Sequence, residues 1–205
     1  GVNNLHIDNS TPEKVIQLTK NNSLKITFVG RFVEKKGVEG LIEVFSQIVK
    51  KYKNIELILC GAGYLEETYR ELIRKNHIQD KVQILTFFND INKLVYVYET
   101  SDIVIVPSIV AKNGDVEGLP VVSLEALYLG KILVASHESN VGEVVVNGEN
   151  GFLYSSNEPD ELFVLLENII NDKYDLIKLS ENALMTGEKF SIENTSLEYY
   201  SHLFH

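Results

Sequence analysis

The sequence predicts a doubly wound α/β domain: a parallel sheet of about six strands, flanked by helices and closed by a helical C-terminal end. Two observations predict it. From residue 24 onward, short apolar runs alternate with amphipathic segments, the pattern of a parallel sheet with crossover helices. The runs are also continuously apolar rather than alternating, as strands covered on both faces must be. The 205 residues fit one ordinary domain and suffice for a core.

Taken in order, residues 1–23 are polar and irregular apart from one short helix, which Ser10 or Thr11 can cap and Pro12 can start. Strands are expected at 25–29, 55–60, 82–87, 103–107, 132–136 and 151–154, with helices at 38–52, 64–76, 91–99 and 120–129. The chain reads as helical after residue 155, ending in an apolar-faced helix over 191–204. The domain organisation expected is therefore a leading segment over 1–23, an α/β core over 24–187 and a closing helix over 188–205.

Composition narrows the function. The net charge of −10 argues against nucleic acid as a partner. Residues 1–111 carry 14 Lys+Arg and 13 Asp+Glu, whereas residues 112–205 carry 5 and 16, so local cations rather than a global field must hold any anion. No apolar run approaches 18 residues and no signal peptide is visible, so a cytoplasmic chain is expected. The single Cys60 lies in an apolar strand and is expected to be a buried core thiol. No Cys/His spacing suggests zinc.

The stretch GDVEGLPVVSLEALYLGK, residues 114–131, organises the chemistry. Gly118 permits close approach of a ligand and unusual dihedrals. Pro120 suits a first helical turn. The amides of Gly118, Leu119 and Val121 then lack intrahelical partners and can face an anion. Glu117 and Glu125 are eight residues apart; on a continuous helix that is about 12 Å, too far for the carboxylate pair of a glycosidase. Such spacing suits two ends of one long ligand. A helix-start acid and a solvated helix residue would explain it equally.

GRFVEKKG, residues 30–37, follows the first strand. Arg31 and Lys36 offer a guanidinium fork and an ammonium suited to a diphosphate. A solvated loop with Glu34 pairing locally is the plain alternative. Topology favours the ligand: in a 3-2-1-4-5-6 sheet the crevice lies between the carboxyl ends of strands 1 and 4. Those ends carry the Arg31 loop and the Glu117 loop. Gly61 and Gly63 form a turn after strand 2, and His137 at a strand end reads as structural. Asn147, Gly148, Asn150 and Gly151 are turn formers. Asp115-x-Glu117 is a near miss for a metal-binding D-x-D; no metal is expected, because a helix N-terminus with Arg31 and Lys36 can neutralise a diphosphate.

These motifs resemble those of group 1 retaining glycosyltransferases of the GT-B fold. EGLPVVSLEALYLGK is similar to that family's EGFGLxxLEAMAxGxP, with GLP for GFG and with Lys131 and Ile132 where a residue and then proline are usual. The upstream GD and the EGLPVV variant look like a subgroup in bacterial surface-polysaccharide assembly. GRFVEKKG resembles GRLxxxKG, and GAGY resembles GxGP with Tyr64 for proline. ILTFFND, residues 84–90, stands where the family has VxFLG and reads the nucleobase through backbone groups, with Phe88 at the usual glycine. SHESNVGEVVVNGENGFL resembles SxxGGxPEVVxxGxNGxL. There Ser139 and Asn140 replace the glycine pair, Gly142 replaces proline, and Glu143 matches a helix-start acid. GVNNLHID is similar to an interdomain segment, and FSIENTSLEYYSHLF to the family's closing helix.

The resemblance implies a Rossmann-like donor-binding domain preceded in the whole protein by an acceptor domain. Arg31 and Lys36 would hold the pyrophosphate and stabilise its departure, with Gly30, Gly61, Gly118, Leu119 and Pro120 bordering the donor. Glu125 would bind the ribose. Glu117 would contact the transferred sugar and so matter little for a bare nucleoside diphosphate. The implied substrate is a UDP- or GDP-sugar without a cofactor. The implied partner is a glycan or lipid-linked acceptor, reached through the missing domain, as is any contact with the inner face of the membrane. A nucleotide-sugar-binding module without transfer is a second reading. A dinucleotide-dependent oxidoreductase is a third, against which the lack of G-x-G-x-x-G after the first strand counts.

Overall fold

A computed structural model of the chain describes residues 23–86 and 91–190. The leading segment over 1–22, Phe88 and its neighbours at 87–90, and the closing helix over 191–204 lie outside the described residues. Six strands form one parallel sheet: β1 (Leu24–Val29), β2 (Ile55–Cys60), β3 (Val82–Leu85), β4 (Ile103–Val106), β5 (Ile132–Ser136) and β6 (Phe152–Tyr154). Their order is β3-β2-β1-β4-β5-β6, the doubly wound arrangement the sequence predicts. Helices α1 (Val38–Lys51), α2 (Glu66–Lys75), α3 (Ile91–Glu99), α4 (Val121–Tyr128), α5 (Pro159–Ile170) and α6 (Leu176–Lys189) connect and cover them.

The continuous apolar runs follow from a core on each face. Ile26, Phe28, Leu57, Leu59, Ile103 and Ile105 join the side chains of α1, α2 and α5 on one face. Their neighbours Val29, Ile58, Cys60, Val104 and Val106 join Val97, Tyr98, Ala126 and Leu127 on the other. Successive strand residues point to opposite faces, so burying both faces leaves no polar position in β4 or β5 except the terminal Ser136. Cys60 is fully buried, and burial pushes its thiol up to about 11, which fits an inert core residue. No helix among the described residues is long and apolar enough to cross a membrane.

Three local expectations need correction. Pro120 lies just outside α4 as its N-cap, with extended backbone (φ −70°, ψ 132°). Helix α2 starts at Glu66 rather than 64, because the amide of Leu65 donates to Phe32 O (3.2 Å) and ties the turn to the loop after β1. Glu143 closes a single 3-10 turn, Val141–Glu143, instead of starting an α-helix. The left-handed Asn140 immediately before it (φ 53°) turns the chain.

Candidate functional site: the crevice between the first and fourth strands

At the carboxyl end of β1 the chain places Arg31 outward and Phe32 inward. Phe32 is fully buried. Its ring meets the edge of Tyr69 at 5.2 Å between centroids and lies 6.3 Å from Phe28. That anchor fixes the loop on which Arg31 stands. The amide of Phe32 donates to Ala62 O (2.9 Å) and that of Gly30 to Cys60 O (3.0 Å), so the loops after β1 and β2 are zipped together. A Cβ at Gly61 would sit 2.0 Å from Gly30 O, and one at Gly63 2.3 Å from Phe32 O. Loop packing alone therefore accounts for glycine at 61. Tyr64 extends over the same loop, its hydroxyl accepting from Glu34 N at 3.4 Å.

Residues Glu34–Lys36 form a 3-10 turn closed by Gly37 in the left-handed region (φ 65°). A Cβ on Gly37 would lie 1.9 Å from Pro107 O, at the end of β4. The turn is thus pressed backbone to backbone against the loop carrying the acidic motif. The amide of Ile109 donates to Lys35 O at 2.9 Å. Lys35 Nζ lies 3.2 Å from the Asp115 carboxylate and donates to Val116 O at 3.4 Å.

Lys36 Nζ lies 2.7 Å from Glu117 Oε2, with the two side chains 13% and 15% exposed. The ammonium sits off the direction of a good hydrogen bond, so the contact is an ion pair without a directed bond. Two residues read separately, one for phosphate and one for sugar, thus face each other directly. Arg31 is exposed and has no acidic partner among the described residues.

Glu117 lies in the loop before α4, so a continuous helical rise does not set its spacing from Glu125. Asn140 Nδ2 donates to Glu117 O at 2.6 Å. Here Asn140 keeps the left-handed backbone that a glycine would supply at little cost, and adds a donor that glycine lacks. Gly118 is exposed, its φ is not positive, and a Cβ there would meet nothing within 4 Å. Its value is open space, not unusual dihedrals. The amides of Gly118 and Leu119 donate to no described residue. Leu119 packs on the second core cluster, and Pro120 is buried beneath the loop.

Glu125 lies in the second turn of α4, and its Oε2 accepts from Tyr98 Oη at 2.5 Å. No motif or spacing announces that contact, since the partners are 27 residues apart. Asn140 was visible only as a substitute for a glycine. His137 is exposed and offers its carbonyl to the Asn140 amide (3.3 Å), a structural use. Asn150 is buried, accepting from Val146 N and donating to Val144 O and Thr186 Oγ1. That too is the turn role expected.

Chemically, among the described residues, the crevice offers a guanidinium without an acidic partner, two lysines each facing an acid, and amides before α4 that donate to no described residue. The model of the family described as "Glycosyl transferases group 1" matches residues 10–185. An uncharacterized glycosyltransferase of Haemophilus influenzae is 31% identical over 184 residues, 89% of this chain and 50% of that protein. The capsular polysaccharide biosynthesis glycosyltransferase CapM of Staphylococcus aureus is 27% identical, over 82% of this chain and 42% of that protein. The chain therefore spans half or less of the length of these two relatives. The crystal structure of Anabaena HepE in complex with UDP and glucose superposes with a TM-score of 0.76 at 24% identity, over 95% of this chain and 52% of that one, a likeness of fold.

Proposed function

This chain belongs to the group 1 glycosyl transferases, and from that premise we propose that it is the donor-binding half of a retaining glycosyltransferase. It holds a UDP- or GDP-sugar whose hexose passes to a glycan or lipid-linked acceptor. The observation that carries the reading is the placement of Arg31 and the Lys36–Glu117 pair at the reversal of strand order between β1 and β4. Ligands of doubly wound sheets sit there. The CapM relative supports a polysaccharide as product, and the HepE complex supports UDP as the nucleotide.

In the proposed reaction the bond from the anomeric carbon to the diphosphate breaks, and negative charge grows on the leaving phosphate. Arg31 and Lys36 stabilise that charge, which is worth most in a site already arranged for it. Lys36 must leave Glu117 to do so, and the freed Glu117 carboxylate is then available to the sugar hydroxyls. Glu125 takes the ribose. No divalent ion is needed in this scheme, because Arg31, Lys36 and the amides leading into α4 supply the counter-charge to the diphosphate. The acceptor is placed on another part of the protein, in keeping with the share of its relatives that this chain spans.

Calorimetry with UDP and GDP, with and without EDTA, tests the reading. Binding that survives EDTA is expected, with no sustained transfer from labelled UDP- or GDP-sugars to added oligosaccharide or lipid-linked acceptors. Strict dependence on Mg²⁺ or Mn²⁺ would return Asp115 and Glu117 to the role of metal ligands. Ordinary enzymatic turnover by these 205 residues would place the acceptor site within them.

A further inference from the structure

We infer that Tyr98 is a positioning residue for Glu125, holding its carboxylate in the orientation that receives the ribose of a nucleoside diphosphate. The inference rests on the ribose role proposed above for Glu125.

Tyr98 lies in the last turn of α3 and is wholly buried, within the core cluster that joins α3, α4 and the sheet. Its hydroxyl donates to Glu125 Oε2 at 2.5 Å. Burial, with the Glu125 charge adding to it, pushes the phenol well above its ordinary range. The tyrosine therefore stays neutral, and its single proton is committed to the carboxylate. Glu125 is half-buried, and its Oε1 has no partner among the described residues. One oxygen is anchored from inside the fold, and in this proposal the other receives the ribose.

A glutamate side chain loses considerable rotamer freedom when a ligand immobilises it. Anchoring Oε2 moves that loss to the folding step, so the ribose meets a carboxylate already in place. A purely structural role explains less. Phenylalanine would fill the same core space without a buried hydroxyl that needs a partner, and the partner here is the one carboxylate on α4.

The test compares the parent, Tyr98→Phe and Glu125→Gln for binding of UDP, GDP and their 2′,3′-dideoxy counterparts by calorimetry, with melting temperatures recorded alongside. The parent should prefer the ribonucleotide over its dideoxy form. Tyr98→Phe should lose roughly three- to tenfold of that preference, the range for one immobilised side chain. Its dideoxy affinity should stay unchanged, which a general loosening of the fold would not leave intact. An unchanged preference in Tyr98→Phe, alongside a lost preference in Glu125→Gln, would overturn the positioning role and leave the ribose role standing. A parent that does not distinguish the two sugars would overturn both. Equal weakening of ribo and dideoxy forms would make Tyr98 a structural residue only.

Discussion

Two clusters of charge sit at opposite ends of the same central strands, and they are built differently. At the amino ends, Asp102 Oδ2 accepts from Lys25 N at 2.7 Å, and Lys131 Nζ donates to Glu99 O at 3.1 Å. Each charge there is tied to backbone. Burial raises Asp102 and lowers Lys131 from their ordinary values. At the carboxyl ends, Lys36 faces Glu117 and Lys35 faces Asp115, side chain against side chain, with a longer 3.4 Å contact from Lys35 to Val116 O as the one tie to backbone among the described residues. A charge bonded to backbone can change partner only if the fold opens. A charge held by another side chain can exchange it for a ligand at modest cost. The lower cluster belongs to the frame and the upper one to binding.

The sharpest test of that division is Arg31→Ala or Lys36→Ala. Either should weaken UDP or GDP binding by about 1.5–3 kcal/mol, the range for hydrogen bonds to charged groups. The melting temperature should hardly move. A large thermal loss with unchanged affinity would make the upper cluster structural.

The lower cluster should answer in stability instead. Asp102→Ala removes the acceptor of Lys25 N, whereas Asp102→Asn keeps one. The alanine variant should therefore unfold about 1–3 kcal/mol more easily than the asparagine variant, with nucleotide binding intact in both. The pH dependence has a defined sign. Since burial raises the folded value of Asp102 above its ordinary 3.8, the folded chain holds that proton longer than the unfolded one. The parent thus loses stability relative to Asp102→Asn as pH rises through that window. A flat difference curve would show that Asp102 titrates alike in both states.

Glu117→Gln gives a smaller effect of unusual sign. Taken alone, a sugar-contacting glutamate should leave nucleoside diphosphate affinity untouched. Facing Lys36 at 2.7 Å, it competes with the phosphates. Its neutral isostere should strengthen UDP or GDP binding by about 1 kcal/mol, the scale of a partly screened ion pair, while weakening the nucleotide sugar relative to it. Unchanged or weaker diphosphate binding would mean that the pair does not compete with ligand. Lys35→Ala should do least, below about 1 kcal/mol, since half-exposed Asp115 is its only acidic partner among the described residues. A loss equal to that of Lys36→Ala would indicate a diffuse field instead of positioned contacts.

The sheet was legible because its determinants are local. Runs such as IVIV and ILVAS, residues 103–106 and 132–136, read as strands buried on both faces. Residue types at strand ends likewise marked Arg31, Lys36, Glu117 and Glu125. What stayed hidden was who faces whom. Lys36 and Glu117 are 81 positions apart, and their contact depends on how two loops fold against each other. Tyr98 falls inside the helix expected over 91–99, and nothing in its neighbourhood announces a hydrogen bond to α4. Glu143 misled because one left-handed residue, Asn140, was enough to replace a helix by a single turn.

The glycines beneath the crevice bear on how such a site can diversify. Gly37 abuts Pro107 O, Gly61 abuts Gly30 O and Gly63 abuts Phe32 O, each closer than any Cβ would permit. The spacing of the three loops is thereby set chiefly by main chain against main chain, with Phe32 and Ile109 packed beside the contacts. The residues that line the opening can then be exchanged without altering its width. A lineage or an engineer seeking a new sugar can vary the sugar-facing position 117 while the aperture stays the same and Arg31 and Lys36 keep the diphosphate that every donor shares. Widening it would require the glycines themselves to change, at the expense of the joints between the loops.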